Sequence, residues 1–357
     1  MRTSLLTLAL VLALPAAALA QSPSARPDAG ADHLREAVAL LPPGADSLGF
    51  TDWSRIRASL GAEDVTGDSP IDEKVAVVGA TNEQEAAASG FGAAYLRTHR
   101  DTWGWDTLDV DWEAIFSGDG VPVSVVRLRE GTDVAAIAAR YDERGFTTED
   151  APSATIRSHA LDPGADWIRS GELAVTNTAF LDDGRTLMFA SSVDALREAL
   201  GGTARAPVPG QAAVVGALEG ASAAWLVLAP GCADFTPLPL DPLDPDASVR
   251  PLATGGPLHP WTALGIGYAR PGWDPIGRVV MGFLDPTSAA ADLGARTELA
   301  RTAVSLFSGR PYAETVLAVQ GSRVDGPAIV LDVAPADDRP TRLFQAVMRR
   351  DLPFAGC

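Results

Sequence analysis

Residues 173–191 read LAVTNTAFLDDGRTLMFAS. Two runs rich in apolar, β-branched and aromatic residues flank Asp183-Gly184, a dipeptide typical of a tight hairpin turn. Ser192 follows at a position where it can cap a helix, and apolar residues then recur every three or four positions. The stretch therefore predicts two antiparallel strands followed at once by a helix, which is an α+β arrangement.

The sequence upstream predicts a β-α-β unit. VPVSVVRL at residues 121–128 has the composition of a strand, Thr132 or Asp133 can cap a helix that runs to about Arg144, and Gly145 can end it before the next strand. Nearer the start, the patterns predict a helix over residues 32–41, a strand over residues 47–53, a helical turn that ends at Leu60, and a helix over residues 82–98.

The second half of the chain repeats this order of elements. Strands are expected at 264–269 and 278–284, a long helix at 287–307, a second hairpin around Asp325-Gly326, and a last helix at 341–350. The two Asp-Gly turns lie 142 residues apart. We expect two related modules of the split β-α-β, ferredoxin-like kind, each with helices on one face of an antiparallel sheet. Convergence on a common topology is the alternative, because the halves share few side chains.

The first twenty residues, MRTSLLTLALVLALPAAALA, have the features of a cleaved secretory signal peptide. They combine one arginine, an apolar run from Leu5 to Leu14, and a small-residue Ala-Leu-Ala end. An apolar run of about ten residues is too short to cross a bilayer. We expect the mature protein to start at Gln21, to lie in the periplasm or outside the cell, and to have no transmembrane segment.

The polar and proline-rich segments divide the rest of the sequence into two expected domains. A polar lead at residues 21–30 precedes an N-terminal α+β domain at 31–229 and a C-terminal α+β domain at 261–357. The segment between them, residues 230–260, contains eight prolines. Such density prevents regular helix and predicts a linker or a long loop.

The two cysteines, Cys232 and Cys357, are expected to form a disulfide. An oxidising compartment favours their pairing, and closing so long a loop stabilises by about 4 to 5 kcal/mol in the chain-entropy model. A catalytic cysteine at the last residue would lack rigid support.

The charge balance excludes nucleic acid as a partner. The chain has 46 acidic and 28 basic residues and a formal net charge of −18. Phosphate backbones are bound by clustered lysine and arginine, and no such cluster is visible. All the basic residues except Lys74 are arginine, which with the many alanines suggests a bacterial genome of high GC content.

Known catalytic motifs are absent from the sequence. The nearest string to a nucleophile elbow is Gly220-Ala-Ser222-Ala-Ala224, which lacks the second glycine, and the four histidines show no zinc-site spacing. We expect no catalytic residue, no metal and no cofactor. A glycosidase-like pair of carboxylates needs no local motif and stays open.

One segment, HRDTWGWDTLDVDWE at residues 99–113, combines tryptophans with carboxylates. In a strand, alternate acids would share one solvated face and apolar residues would face the core. Alternatively, the segment is a platform for a carbohydrate, a peptide or a cation. The speculative ligand-binding residues are Trp103, Trp105, Asp106, Asp109, Asp111 and Glu113.

These observations lead to a functional hypothesis and its alternatives. We expect an exported bacterial protein of non-enzymatic type, a binding or envelope-associated accessory protein with a protein or small-molecule ligand. The alternatives are a secreted hydrolase that uses dispersed carboxylates and a solute-capturing protein.

Overall fold

A computed structural model describes residues 32–83, 87, 96–118, 122–160, 173–202, 209–229, 232, 258–268, 277–305, 308–336 and 341–357. The expected signal peptide and polar lead lie outside the described residues, as does the proline-rich segment apart from Cys232 and residues 258–260. Residues Asp32–Cys357 form one compact unit.

The described strands belong to one sheet. They are β1 (Ala45–Asp52), β2 (Val110–Gly118), β3 (Val123–Leu128), β4 (Thr147–Ala151), β5 (Ala154–Ser158), β6 (Asn177–Leu181), β7 (Thr186–Ala190), β8 (Ala223–Val227), β9 (Ala263–Tyr268), β10 (Gly277–Gly282), β11 (Leu317–Asp325) and β12 (Ala328–Pro335).

The described helices alternate with groups of these strands. They are α1 (His33–Ala39), α2 (Trp53–Ser59), α3 (Ile71–Glu83), α4 (Leu96–Trp103), α5 (Val134–Glu143), α6 (Val193–Gly201), α7 (Pro209–Ala217), α8 (Pro286–Thr302), α9 (Tyr312–Thr315) and α10 (Thr341–Met348). Among the described residues, no helix is both long and apolar enough to cross a bilayer.

The predicted α+β class with antiparallel strands is confirmed. The hairpin of β6 and β7 turns at Gly184, whose φ of +70° favours glycine. α6 begins directly after it, and the Ser192 hydroxyl accepts the Ala195 N–H at 3.2 Å as the cap. Asp133 caps α5 in the same way through the Ala136 N–H at 2.9 Å.

Two helix boundaries differ from the prediction. Of the helix expected over 82–98, residues 82–83 end α3, which covers 71–83, and residues 96–98 begin α4. Residue 87 is not helical, and the other residues of that range lie outside the described part of the chain. The helix expected to reach residue 307 ends at Thr302, because Val304 forms a β-bridge with Pro311 instead of continuing the helix.

A single sheet joins the two halves, where we expected a sheet in each module. Its order is β11-β12-β10-β9-β8-β1-β2-β3-β7-β6-β5-β4, and β1 pairs with β8 in the middle. On either side of that pair the first four strands follow the same order, with β2-β3-β7-β6 on one side and β9-β10-β12-β11 on the other, and β5 and β4 extend the first side further. All pairings are antiparallel.

Helices cover both faces of this sheet, which corrects the expectation of one face. Val125 packs in a cluster with residues of α1, α6 and α7, whereas the next residue, Val126, packs in a cluster with residues of α2 and α5. In the C-terminal half, Val280 packs in a cluster with residues of α7, whereas its neighbour Val279 packs in a cluster with residues of α8. The cause is local, because strands such as β7 are apolar on both faces and both must be removed from water.

The predicted disulfide between Cys232 and Cys357 is confirmed, with Cα atoms 5.5 Å apart and a sequence separation of 125. The C-terminal segment that it fastens is buried from Asp351 to Gly356. Trp261, which is fully buried, donates its indole N–H to the Ala355 carbonyl at 2.7 Å.

Arg296 on α8 fixes the same segment from inside the core. Its guanidinium is fully buried, pairs with Asp292 at 3.1 Å, and donates to the carbonyls of Phe354 (2.7 Å), Gly356 (3.1 Å) and His259 (2.6 Å). A buried charge of this kind is tolerated only when its donors are satisfied. The end of the chain is thus tied to α8 by one side chain.

Replacing Arg296 by methionine is expected to lower the free energy of unfolding by about 3 to 5 kcal/mol, because the buried Asp292 loses its arginine and three carbonyls lose a donor in the core. Urea unfolding followed by circular dichroism measures this. Arg301→Met on the exposed side of the same helix is the matched control and should change little. Equal losses in the two variants would contradict the assigned role of Arg296.

Candidate functional site

The tryptophans of the predicted site lie in the core. Trp103, the last residue of α4, packs against Tyr141 at 4.5 Å between ring centroids, and Trp105 stacks on Phe189 at 6.0 Å. Both are fully buried. Neither indole is therefore available as a stacking surface for a ligand in this conformation.

The acids of the segment separate because β2 contains a bulge between Val110 and Trp112. Val110 packs towards α5, Trp112 packs in the cluster with α1, and Asp111 is the extra residue between them. Asp109 precedes the strand in a short 3-10 turn. A shared face for the acids would have needed uninterrupted alternation, which the bulge removes.

Asp111 and Glu113 lie in different surroundings. Asp111 is partly exposed and pairs with Arg185 at 2.6 Å and with Arg57 at 3.6 Å. Burial, followed by repulsion from Arg129, lowers the pKa of Arg57 to about 10. Glu113 is buried on β2 opposite a residue of β1.

Asp106 and Asp109 lie close together, and Asp106 pairs with Lys74, the single lysine of the sequence. Lys74 on α3 donates its Nζ to Asp106 Oδ2 at 2.6 Å and to the Gly67 carbonyl at 2.9 Å. Asp109 accepts the N–H groups of Gly67 and Asp106, each at 3.0 Å. Gly67, in the loop at residues 61–70, is thus held at both its N–H and its carbonyl.

Gly67 has to be glycine for reasons of space. A Cβ at this residue would lie 2.1 Å from Asp109 Oδ2 and 2.6 Å from Arg100 Nη1. The loop can approach the carboxylate this closely only without a side chain.

Beside this cluster the surface forms a cleft of about 420 Å³. The loop at 61–70, the end of α4 and the start of α5 form its walls, and Asp109 is the predicted site residue that lines it. Ala136 and Ile137 supply apolar surface, and Arg100, Arg129 and Arg140 supply charge. The volume lies within the range of small-molecule sites.

The three arginines of the cleft differ in their partners. Arg100 pairs with both Asp68 and Asp109, so its charge is neutralised within the protein. Burial raises the pKa of Asp109, and the positive charge of Arg100 opposes this rise without cancelling it.

Arg129 and Arg140 bind neutral acceptors. Arg129 donates to the carbonyls of Val65 at 2.9 Å and Glu63 at 3.0 Å, and Arg140 donates to the carbonyl of Asp101 at 2.8 Å. Within the described ranges neither guanidinium forms an ion pair with a carboxylate. In the same ranges, no group of three or more His, Cys, Asp and Glu side chains is arranged to hold a metal ion.

Sequence reasoning missed Arg100, Arg129 and Arg140. A signal was present for Arg129, because it begins the polar connection between β3 and the predicted Asp133 cap of α5, where β-α-β units often place ligand contacts. Arg140 gave no signal, since a helical arginine is usually solvated.

Comparisons with known proteins leave the family open. No family model matches the chain, and no curated protein is similar to it. A solved structure described as crystal form I of TP0453 aligns with 86% of this chain and 96% of its own, at 8% identity and a TM-score of 0.36. At that score the likeness supports no conclusion about function.

Lys74→Met is expected to lower the free energy of unfolding by about 3 to 5 kcal/mol, because it leaves the fully buried Asp106 without its counter-ion. The double variant Lys74→Met/Asp106→Asn removes that charge and should recover part of the loss. Urea unfolding of Lys74→Met, of Asp106→Asn and of the double variant, each against the wild type, forms the comparison. A double variant that loses as much as the sum of both single variants would contradict coupling.

His33 on α1 predicts a pH dependence of stability. Burial lowers the pKa of His33, but the hydrogen bond and charge of Asp52, whose Oδ2 lies 3.0 Å from Nδ1, outweigh it and raise the pKa above its usual value. A raised folded-state pKa stabilises fully below about pH 6.5, and the contribution is lost as pH rises through the folded pKa. The difference in unfolding free energy between wild type and His33→Gln should shrink from about pH 5.5 to about pH 8.5. A difference that stays constant or grows would show that Asp52 does not stabilise the protonated form of His33.

Proposed function

We propose that this protein is an exported, non-enzymatic binding protein and that the cleft beside α5 is its ligand site. The supporting observation is that a cleft of small-molecule size contains two guanidinium groups without a carboxylate partner among the described residues. Ligand sites are concave and place a small number of polar or charged groups beside apolar surface, here Arg129 and Arg140 beside Ala136 and Ile137.

The ion pairs favour binding over hydrolysis by dispersed carboxylates. A glycosidase-like mechanism needs one carboxylic acid and one available carboxylate on either side of the scissile bond. Asp109 is bound to Arg100 and to two backbone N–H groups, and Asp111 is bound to Arg185. Both carboxylates are therefore partners in structural ion pairs and are not available as a catalytic acid or base.

The disulfide of Cys232 with Cys357 is compatible with an extracytoplasmic location. We take the signal peptide at residues 1–20 as the route of export. The ligand would then be a solute of the periplasm or the medium, which fits an envelope-associated accessory or a solute-capturing role.

We also propose that the two halves are related modules with split β-α-β connections, although they share one sheet and carry helices on both of its faces. The same order of the first four strands on both sides of the β1 and β8 pair supports it, as do the Asp183-Gly184 and Asp325-Gly326 hairpins, each followed by a helix. The cleft belongs to the N-terminal half, which carries additional elements between β1 and β2.

Filling the cleft tests the proposed function. Ala136 lines it from the exposed side of α5, so Ala136→Trp should abolish ligand-induced thermal shifts without lowering the melting temperature of the unliganded protein. Ala135→Trp, at the neighbouring exposed position outside the cleft, is the matched control and should keep those shifts.

The assay is a thermal-shift screen against sugars, small peptides, organic and inorganic anions, and divalent cations, with isothermal titration of every hit. If no compound shifts the wild-type protein, or if Ala136→Trp responds as the wild type does, the proposed site is wrong.

A further inference from the structure

We infer that the ligand of the cleft carries a carboxylate or phosphate group, and that Arg140 and Arg129 bind it. The inference rests on the proposed function, because it names the chemistry of the ligand that the cleft would hold. It follows from the pairing of charges, the positions of the donors and the exposure of the acids around them.

Most acids near the cleft already have partners. Asp68 and Asp109 are paired with Arg100, and the Asp133 carboxylate caps α5. Glu130 is exposed, and Asp133 is exposed too, so water screens both charges. Arg129 and Arg140 are only partly exposed, and charges removed from water are screened less. The lining contains four acids and three arginines, and the positive charges that no carboxylate of the described residues pairs with are those of Arg129 and Arg140.

Arg140 has donors to spare. A guanidinium carries five N–H groups, and within the described part of the chain Arg140 uses Nη1 alone, on the Asp101 carbonyl. The hydrogen bond to Asp101 holds the guanidinium, and the side chain passes close to Gly104, where a Cβ would lie 2.9 Å from Arg140 Nε. A held guanidinium with unused donors suits a planar or tetrahedral oxyanion, which it can bind through two hydrogen bonds.

Arg129 supplies charge from a fixed position. Its carbonyl partners at Val65 and Glu63 anchor the guanidinium but do not neutralise it. The effect on Arg57 supports this, since the charge of Arg129 is one of the causes that lower the pKa of that neighbour. An anion in the cleft would relieve this repulsion.

Isothermal titration with inorganic phosphate, citrate and succinate, and with glucose and magnesium chloride as neutral and cationic probes, tests the inference at low ionic strength. We expect saturable binding of phosphate, or of citrate or succinate. Comparing these probes shows whether the ligand group is a phosphate or a carboxylate. Arg140→Gln should weaken this binding about tenfold to hundredfold, the equivalent of a charge-assisted hydrogen bond. Arg140→Lys keeps the charge and should lose less, since an ammonium cannot bind bidentately.

Arg301→Gln, an exposed arginine on α8, is the matched control and should bind as the wild type does. If the anions bind equally to Arg140→Gln and wild type, they bind elsewhere and the inference is overturned. If only glucose or magnesium binds, and Ala136→Trp blocks it, the inference fails while the proposed function stands. If no compound in either experiment binds, both fail.

Discussion

The antiparallel pairing of β1 with β8 is the constraint on which the rest of the structure depends. It joins the two halves into one sheet, and Gly49 leaves space for the indole of Trp225, which would lie 3.0 Å from a Cβ at that position. At the end of β1 the Asp52 N–H is bound by the Ser222 carbonyl at 2.7 Å, and the Asp52 side chain caps α2. The start of α2, and with it Arg57, is thus set by the central pair.

Charge in this molecule has two uses. Arg296 with Asp292, and Lys74 with Asp106, are buried pairs that also bind backbone carbonyls, so the first fixes the C-terminal segment and the second fixes the loop at 61–70. Arg129 and Arg140 are held by backbone carbonyls and keep their net charge at a surface cleft. The buried ion pairs make the fold rigid, whereas the two arginines without a carboxylate partner among the described residues provide positive charge that can bind an anion.

Local patterns predicted the elements, and long-range contacts limited what they could say about the site. The Asp183-Gly184 hairpin, the Ser192 and Asp133 caps and the disulfide depend on residue type and short spacing or on the compartment, and they are present in the structure. The segment at 99–113 was chosen for its tryptophans and acids, yet its indoles are core and one acid lines the cleft. Arg129 and Arg140 come from separate elements, and no local spacing brings them together.

The sequence by itself determined the α+β class, most strands and helices, and the cysteine pair, because hydrophobic period, capping and turn chemistry act over a few residues. The tertiary structure alone decided that one sheet spans both halves, that helices cover both of its faces, and that a bulge at Asp111 separates the acids. The physical reason is that strand pairing and ion pairing join residues distant in sequence. Their geometry exists only once the chain has folded.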